Sequence, residues 1–278
     1  MRETDTPGAA RCPAAARRPY LAMASISFSE RFAYPGETAL ALASAALRAF
    51  VAWLLWSAVL AGKESVGGMG IGAIVAYYLV ASSARTLDRS EGYAWEFAAE
   101  IRSGDFAKYM VRPVDPLRCF LAVSAGRSAY QACVLAAAAL AALPFLGAAS
   151  LPQALGLALA LPVLLLGLLA LALLNFMTSI LAFVFQDITP FHMVKTDAIE
   201  FLSGALVPLA MMPAWAREIL AWTPFTALAS LPARLWAGQG LDEVPRALAV
   251  LAAWCLALYL AARASLAALT ADREGAGS

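Results

Sequence analysis

Charge that could recognise a partner or move a proton is concentrated in one stretch of this chain. Residues 85–118 hold Arg85, Asp88, Arg89, Glu91, Glu96, Glu100, Arg102, Asp105, Lys108, Arg112, Asp115 and Arg118, whereas residues 128–186 contain no Asp, Glu, Lys, Arg or His. Carboxylates interleaved with arginines can pair with a charged surface or serve as acids and bases. For catalysis the companions are missing. There is no HExxH or GxSxG run, and no paired aspartates lie near a histidine in an apolar segment. A lipid-modifying site would have to draw on Asp88, Arg89 and Glu91. His192, the single histidine, follows Thr189-Pro190 at a turn with no Cys, His or acidic ligand set around it, so no metal site is expected. The glycine-rich GGMGIG at 67–72 follows no strand and leads to no Gly-Lys-Ser/Thr, and no Walker A motif occurs elsewhere, so ATP binding of the P-loop kind is excluded.

Composition says what surrounds the charged island. Hydrophobic residues make up 62% and charged residues 14%, and mean hydropathy is +0.72. An ordinary soluble domain is about a quarter charged. In water this much apolar surface would cost about 25 cal/mol per Å² left exposed, a penalty that lipid removes. The chain therefore reads as a multi-pass membrane protein. A net charge of +1 argues against a nucleic-acid partner. Cys119, Cys133 and Cys255 sit unpaired in apolar stretches and read as small core residues. Lysine occurs only at 63, 108 and 195, and this arginine bias with abundant alanine suits a bacterial genome rich in GC.

A span needs about 20 mostly apolar residues. Six segments qualify: about 39–61, 69–87, 117–143, 153–185, 194–212 and 244–266. Arginine-rich segments then fall on the side of the N-terminus, which places both termini in the cytoplasm by the positive-inside rule. Residues 1–20 are expected as a disordered cytoplasmic tail, 21–266 as a single transmembrane domain and 267–278 as a second cytoplasmic tail. No cleavable signal peptide is expected. Residues 20–37 mix Tyr20, Ile26, Phe28, Phe32 and Tyr34 with Glu30 and Arg31, which suits a helix lying at the inner interface. Residues 213–240 carry Trp215, Trp222 and Trp236 among prolines. They read either as a short helical hairpin dipping into the outer leaflet or as an ordinary interfacial loop.

Within the island, Trp95, Ala98 and Ile101, with Phe97 one position off, share a helical face. Glu96 and Glu100 lie one turn apart on another. Gly104 suits the position that ends a helix, and Asp115-Pro116 is an N-cap followed by Pro at N1. Like charges four residues apart weaken a helix slightly, so the two glutamates call for a basic counterpart. On these grounds a solvated loop, its carboxylates merely answering Arg102 and Lys108, weighs at least as much as a docking surface. Inside the spans, Arg48 and Arg127 are costly in lipid and need an acid or a route to the interface; Asp197 and Glu200 are the nearest acids expected for this. Asn175 suits a helix–helix hydrogen bond. Phe176 and Phe201, with Phe183 and Phe185, line an apolar path or pack against neighbours.

The island's EIRSGDFAKYMVRPVDP (100–116) and the later FLSGALVPLAMMPAWAREILAWTPF (201–225) carry a resemblance. They resemble the bacterial ABC exporter permeases of the type-2 fold, in the branch of drug, viologen and daunorubicin-like exporters, over residues 30–265. FAKYM (106–110) departs from a segment that is Leu-rich in that family. The resemblance implies an all-α membrane protein with six transmembrane helices. It adds a cytoplasmic coupling helix between spans 2 and 3 and an outer re-entrant helical element between spans 5 and 6. It implies that the 94–104 helix docks into a separate ATPase through Trp95, Glu96, Phe97, Glu100, Ile101, Arg102, Gly104 and Asp105. Arg48, Arg127, Asn175, Phe176 and Phe201 would lie along the translocation path. The partners implied are two ABC ATPase subunits, which hold ATP and Mg while this chain holds no cofactor, and a second permease subunit, identical or related. The expected function is export of an amphipathic or hydrophobic substrate (a drug, lipid-like molecule or peptide) across the bacterial inner membrane. A stand-alone ion-coupled transporter and a membrane-embedded lipid-modifying enzyme are the rival readings; the first would want ionisable groups at mid-depth in several spans.

Overall fold

The computed structural model describes residues 18–33, 35–59, 71–111, 114–142, 154–205, 209, 212–236 and 238–276. Helix is the only regular secondary structure among the described residues, with no strand among them. The helices are α1 (Arg18–Glu30), α2 (Pro35–Val59), α3 (Ile71–Thr86), α4 (Ser90–Ser103), α5 (Ala107–Val111), α6 (Pro116–Ala142), α7 (Ala154–Ile180), α8 (Thr189–Leu202), α9 (Ala214–Leu220), α10 (Ser230–Trp236) and α11 (Val244–Ala276). Two stretches are long and apolar enough to cross a membrane by composition, Ala158–Phe183 and Leu241–Leu269. They pack against each other as α7 and α11.

Several expected boundaries shift. Most of residues 1–20 lies outside the described residues, but α1 already begins at Arg18. Within the expected C-terminal tail, residues 267–276 continue α11, which runs to Ala276. The segment expected to span at 194–212 forms a helix displaced toward the N-terminus, because Pro190 starts it early and the backbone turns at Ser203-Gly204. Gly204 has φ +78°, and a Cβ there would meet the Tyr77 hydroxyl at 3.0 Å and Leu209 Cγ at 3.1 Å. Only glycine meets both demands. Fourteen helical residues cover about 21 Å, short of the roughly 30 Å of hydrocarbon in a bilayer.

The core gathers where α4 lies against α6 and α7. Phe97, Leu117, Phe120, Leu173 and Phe176 are fully enclosed there. Phe97 is the hub, with ring centroids 5.5 Å from Phe120, 5.6 Å from Phe176, 5.7 Å from Tyr109 and 6.1 Å from Phe106. Such edge and tilted contacts add about 0.5–1.5 kcal/mol each to the burial itself. A second layer forms where α10 enters between α3 and α7. Ala229 and Ala233 meet Tyr77 and Ala81, while Leu231 and Leu235 meet Ala160 and Val163. The pairing of α10 with α7 is close, since a Cβ on Gly156 would stand 2.1 Å from the Leu235 carbonyl.

The N-terminal helix is not a loose surface element. It lies along α6, with Phe28, Phe32 and Tyr130 forming an edge-to-face trio and the Tyr20 hydroxyl accepting the Asp115 N–H at 3.1 Å. The contact depends on Gly126, where a Cβ would meet the Ala24 carbonyl oxygen at 2.2 Å. Gly126→Ala forces the two backbones apart and is expected to destabilise the protein by about 1–3 kcal/mol. Gly92→Ala, in open space on α4, should leave stability unchanged or raise it slightly. Thermal unfolding of the two variants side by side in detergent micelles checks both.

Candidate functional site: the α4 helix and the polar network behind it

Asp88 starts the site. The chain leaves α3 at Thr86, and one carboxylate oxygen of Asp88 accepts the Ser90 N–H at 3.0 Å and the Ser90 hydroxyl at 2.5 Å. That satisfies donors at the first turn of α4, which otherwise have no partner. Asn175 of α7 donates to Ser90 Oγ at 2.8 Å and to the other Asp88 oxygen at 3.4 Å, and its own carbonyl accepts from Lys195 of α8. Lys195 Nζ also lies 3.1 Å from His192 Nδ1. Thr196 donates to Glu91. On the opposite side Arg89 donates twice to the Gln131 side-chain oxygen of α6, at 3.1 and 2.5 Å. Burial holds the Asp88 carboxyl above its ordinary range, against the pull of Ser90 and Arg85. The α3–α4 corner is thus tied to α6, α7 and α8 by polar bonds in an otherwise apolar bundle.

From that corner α4 runs along α6 with Ala94, Phe97, Ala98 and Ile101 buried. Glu96 meets Arg127 in a bidentate pair, Nη1 to Oε1 at 2.7 Å and Nη2 to Oε2 at 2.6 Å. The arginine side chain is only 10% exposed, the glutamate 51%. The guanidinium also lies over the Tyr93 ring, 4.8 Å from its centroid. Arg127 is therefore paired with Glu96 rather than with Asp197 or Glu200, because the reversal at 87–89 brings α4 back beside α6. Glu100 is answered by Lys108 at 2.8 Å and by the Tyr109 hydroxyl at 3.1 Å. Burial raises the Tyr109 phenol well above its usual range and pushes Tyr93 up to about 12, so both stay protonated and able to donate. The basic counterparts that the two glutamates require are within the chain.

Gly104 ends α4 in the left-handed region at φ +86°, and the Phe106 N–H reaches back to the Glu100 carbonyl at 3.1 Å. Asp115 accepts the N–H groups of Leu117 and Arg118, the cap expected for α6, and its second oxygen accepts from Arg263 of α11. The Arg112-Pro113 pair lies outside the described residues. What α4 leaves open is a strip: Gly92, Glu96 beside its Arg127 partner, Ala99, Arg102, Ser103 and Gly104 are exposed, with Asp105 next to them. Arg102 reaches the Gln186 carbonyl at 3.4 Å, so the loop after α7 adjoins this strip, with Val184, Phe185 and Phe191 exposed.

The expected docking residues therefore divide. Arg102, Gly104 and Asp105 face outward; Phe97 and Ile101 are core; Glu96 and Glu100 are held in ion pairs; Trp95 is stacked on His192 with centroids 4.3 Å apart. The residues assigned to a path are scattered as well. Phe176 is enclosed in the aromatic core, Asn175 is engaged with Asp88, Ser90 and Lys195, and Phe201 is half-exposed. Arg48 falls in α2, but its side chain lies outside the described residues. Sequence reading missed Lys195, Thr196 and Gln131 as partners of the corner; Gln131, a lone polar residue before an apolar run of α6, was a signal, whereas Lys195 and Thr196 stand in a polar run with Asp197 and gave none.

A family model described as ABC-2 family transporter protein matches residues 46–270. The chain belongs to that family. It is an ABC transporter permease, the membrane-embedded transport component. The match spans the site and most of α2–α11 and begins after α1. No curated protein and no solved structure matches the chain.

The permease's ion pair gives a direct test. Glu96→Gln leaves the nearly buried Arg127 without a counter-charge and should cost about 1–3 kcal/mol. Arg127→Met should cost less than the sum when combined with Glu96→Gln, and a double-mutant cycle by thermal unfolding measures the coupling. A second test uses pH. Burial and the neighbouring Lys195 push His192 down to about 4 from 6.5. Between these values the unfolded chain binds the proton and the folded one does not, so stability falls as pH drops from about 6.5 towards 4. In His192→Phe that share of the slope should vanish in pH-dependent melting curves.

Proposed function

We propose that this permease is the membrane subunit of an ATP-driven exporter and that α4 is its coupling helix. One observation carries the reading. The face of α4 that carries Phe97 is locked to α6 and α7, with the Glu96–Arg127 pair at its edge, while the opposite strip, centred on Ala99 and Arg102, is open. A rigid helix with one committed and one free face can hand a displacement on to the bundle. A solvated loop would need neither the packing nor the bidentate ion pair.

In this reading the open strip, with the 184–187 loop beside it, docks on an ABC ATPase, and two such ATPases bind ATP and Mg. A second permease subunit, identical or related, completes the pathway. Six crossings, the fifth made by the short α8 together with the chain that follows it, would place both termini in the cytoplasm of a bacterial cell, and the α9–α10 element would stand at the outer leaflet, where exposed Trp215 and Trp222 suit the headgroup level. Closure of the ATPases would tilt α4 and switch the path from inward- to outward-facing. The cargo is amphipathic or hydrophobic, since α7 offers only Asn175, Thr178 and Ser179 as polar side chains.

Ala99 sits at the middle of the open strip and makes no polar contact, so it tests docking without disturbing the core. Ala99→Arg and Arg102→Glu should reduce both co-purification of the ATPase and ATP-dependent transport by about tenfold, with an unchanged melting temperature. Substrate flux in proteoliposomes that lack any ATPase, undiminished by either change, would instead point to a carrier working alone.

A further inference from the structure

Between α7 and α11 lies a groove with wholly apolar walls. Gly167 and Ala170 form the floor of a shallow recess, and Leu174, Phe225, Trp254 and Leu258 flank it. Small residues on α7 make the recess: a Cβ on Gly167 would already stand 3.2 Å from Leu228 Cδ2. At one end the groove acquires polarity. The Trp254 indole N–H donates to the Trp222 carbonyl at 2.9 Å, and the Arg246 guanidinium lies 4.5 Å from the Trp222 ring centroid. Arg246 is in the first turn of α11 and exposed. Among the described residues no carboxylate ion-pairs with it, and the neighbouring Glu243 is taken by Arg234 in a bidentate pair.

These observations describe an apolar channel capped by an aromatic residue and a free cation. Tryptophan and arginine together mark the headgroup level of a bilayer. From Arg246 to Leu258 the helix rises about 18 Å, close to the roughly 15 Å of one hydrocarbon leaflet. A peptide in the groove would leave its backbone N–H and C=O groups unsatisfied against walls that offer no polar side chain, whereas an acyl chain has none to satisfy. We infer that the groove is a binding site for one anionic phospholipid, with its phosphate on Arg246 and an acyl chain laid over Gly167 and Ala170 between Trp254 and Leu258. The bound chain continues the contact between α7 and α11 where their side chains leave a gap, so the lipid acts as a structural ligand of the two helices that, among the described residues, are long and apolar enough to cross a membrane.

The test uses the full chain, stripped of lipid in detergent, and no ATPase. Phosphatidylglycerol with brominated acyl chains is titrated in, and tryptophan fluorescence is read; brominated phosphatidylcholine is the headgroup control. Saturable quenching is expected, tighter for phosphatidylglycerol, and largely absent in Trp254→Phe. Arg246→Gln should weaken phosphatidylglycerol about fivefold and leave phosphatidylcholine unchanged. Leu174→Phe, which fills the groove, should remove the saturable phase for both lipids. Native mass spectrometry, counting retained phosphatidylglycerol, reads the same variants independently of fluorescence. Quenching that rises linearly with bromolipid and is equal in wild type, Arg246→Gln and Leu174→Phe would overturn the assignment, as ordinary annular lipid behaves this way. Absence of Trp254 quenching because a second copy of the chain covers the groove would overturn it equally.

Discussion

A helix corner carries orphaned backbone donors, and in a chain this apolar there is little to satisfy them. The permease solves this at Asp88. Its carboxylate takes two bonds from Ser90, and the amide of Asn175, in a helix without a single charge, closes the arrangement from behind. An unmade bond at such a site costs about 1–3 kcal/mol. That cost fixes the direction in which α4 can leave α3. With the direction fixed, Phe97 reaches the rings of Phe120 and Phe176, and Glu96 reaches Arg127. The packing of α4 on α6 and α7 thus follows from the corner. Aromatic burial stabilises the arrangement, but without the corner the same aromatic residues would have no common place to meet.

The division of α4 into two faces explains why its charges are where they are. Glu96 and Glu100 repel one another along the helix, and each is neutralised by a cation from a different element, Arg127 from α6 and Lys108 from α5. Neither pair is wholly buried, so each contributes modestly to stability. Their larger effect is orientation. A bidentate guanidinium fixes two directions at once, and the Tyr93 face beneath it fixes a third. Arg102, one turn beyond, has only a 3.4 Å bond to the Gln186 carbonyl and stays available. Three polar residues on one short helix have three degrees of engagement, set by what the bundle places opposite each.

Much of this was legible from residue types alone. The Gly104 stop and the Asp115-Pro116 restart follow from local rules about caps, and both appear where those rules put them. Helix boundaries for α3, α6 and α7 follow from hydropathy for the same reason: each is set by a change of residue class within a few positions. The partner of Arg127 was not legible, because it depends on a chain reversal that brings residues 31 apart together. Nor was the early end of α8. Residues 194–212 are apolar enough to continue, but the backbone at Gly204 turns because Tyr77 and Ser230 occupy the space around it. Hydropathy records which residues tolerate lipid; it does not record which backbone conformations the neighbours leave open.

The Gly204 turn and the Asp88 corner tie the same elements together at two separate points. From the middle of α3 the Tyr77 hydroxyl donates to the Gly204 carbonyl just past α8, at 2.8 Å. Past the C-terminal end of α3, Asp88 and Glu91 are linked to Lys195 and Thr196 in the middle of α8, through Asn175 and directly. Two separate attachments (Tyr77 lies about 14 Å from the end of α3, nine residues at about 1.5 Å each) oppose rotation as well as sliding. A single hydrogen bond would leave the helices free to pivot. Displacement of α4 cannot therefore be absorbed at the corner by α3 alone; it reaches α8 through the same polar groups, and α10 through the packing of Ala229 and Ala233 on Tyr77 and Ala81. The groups that make the corner soluble in an apolar bundle are the ones that couple its helices, which is why so few polar residues suffice to make α3, α4 and α8 one mechanical unit.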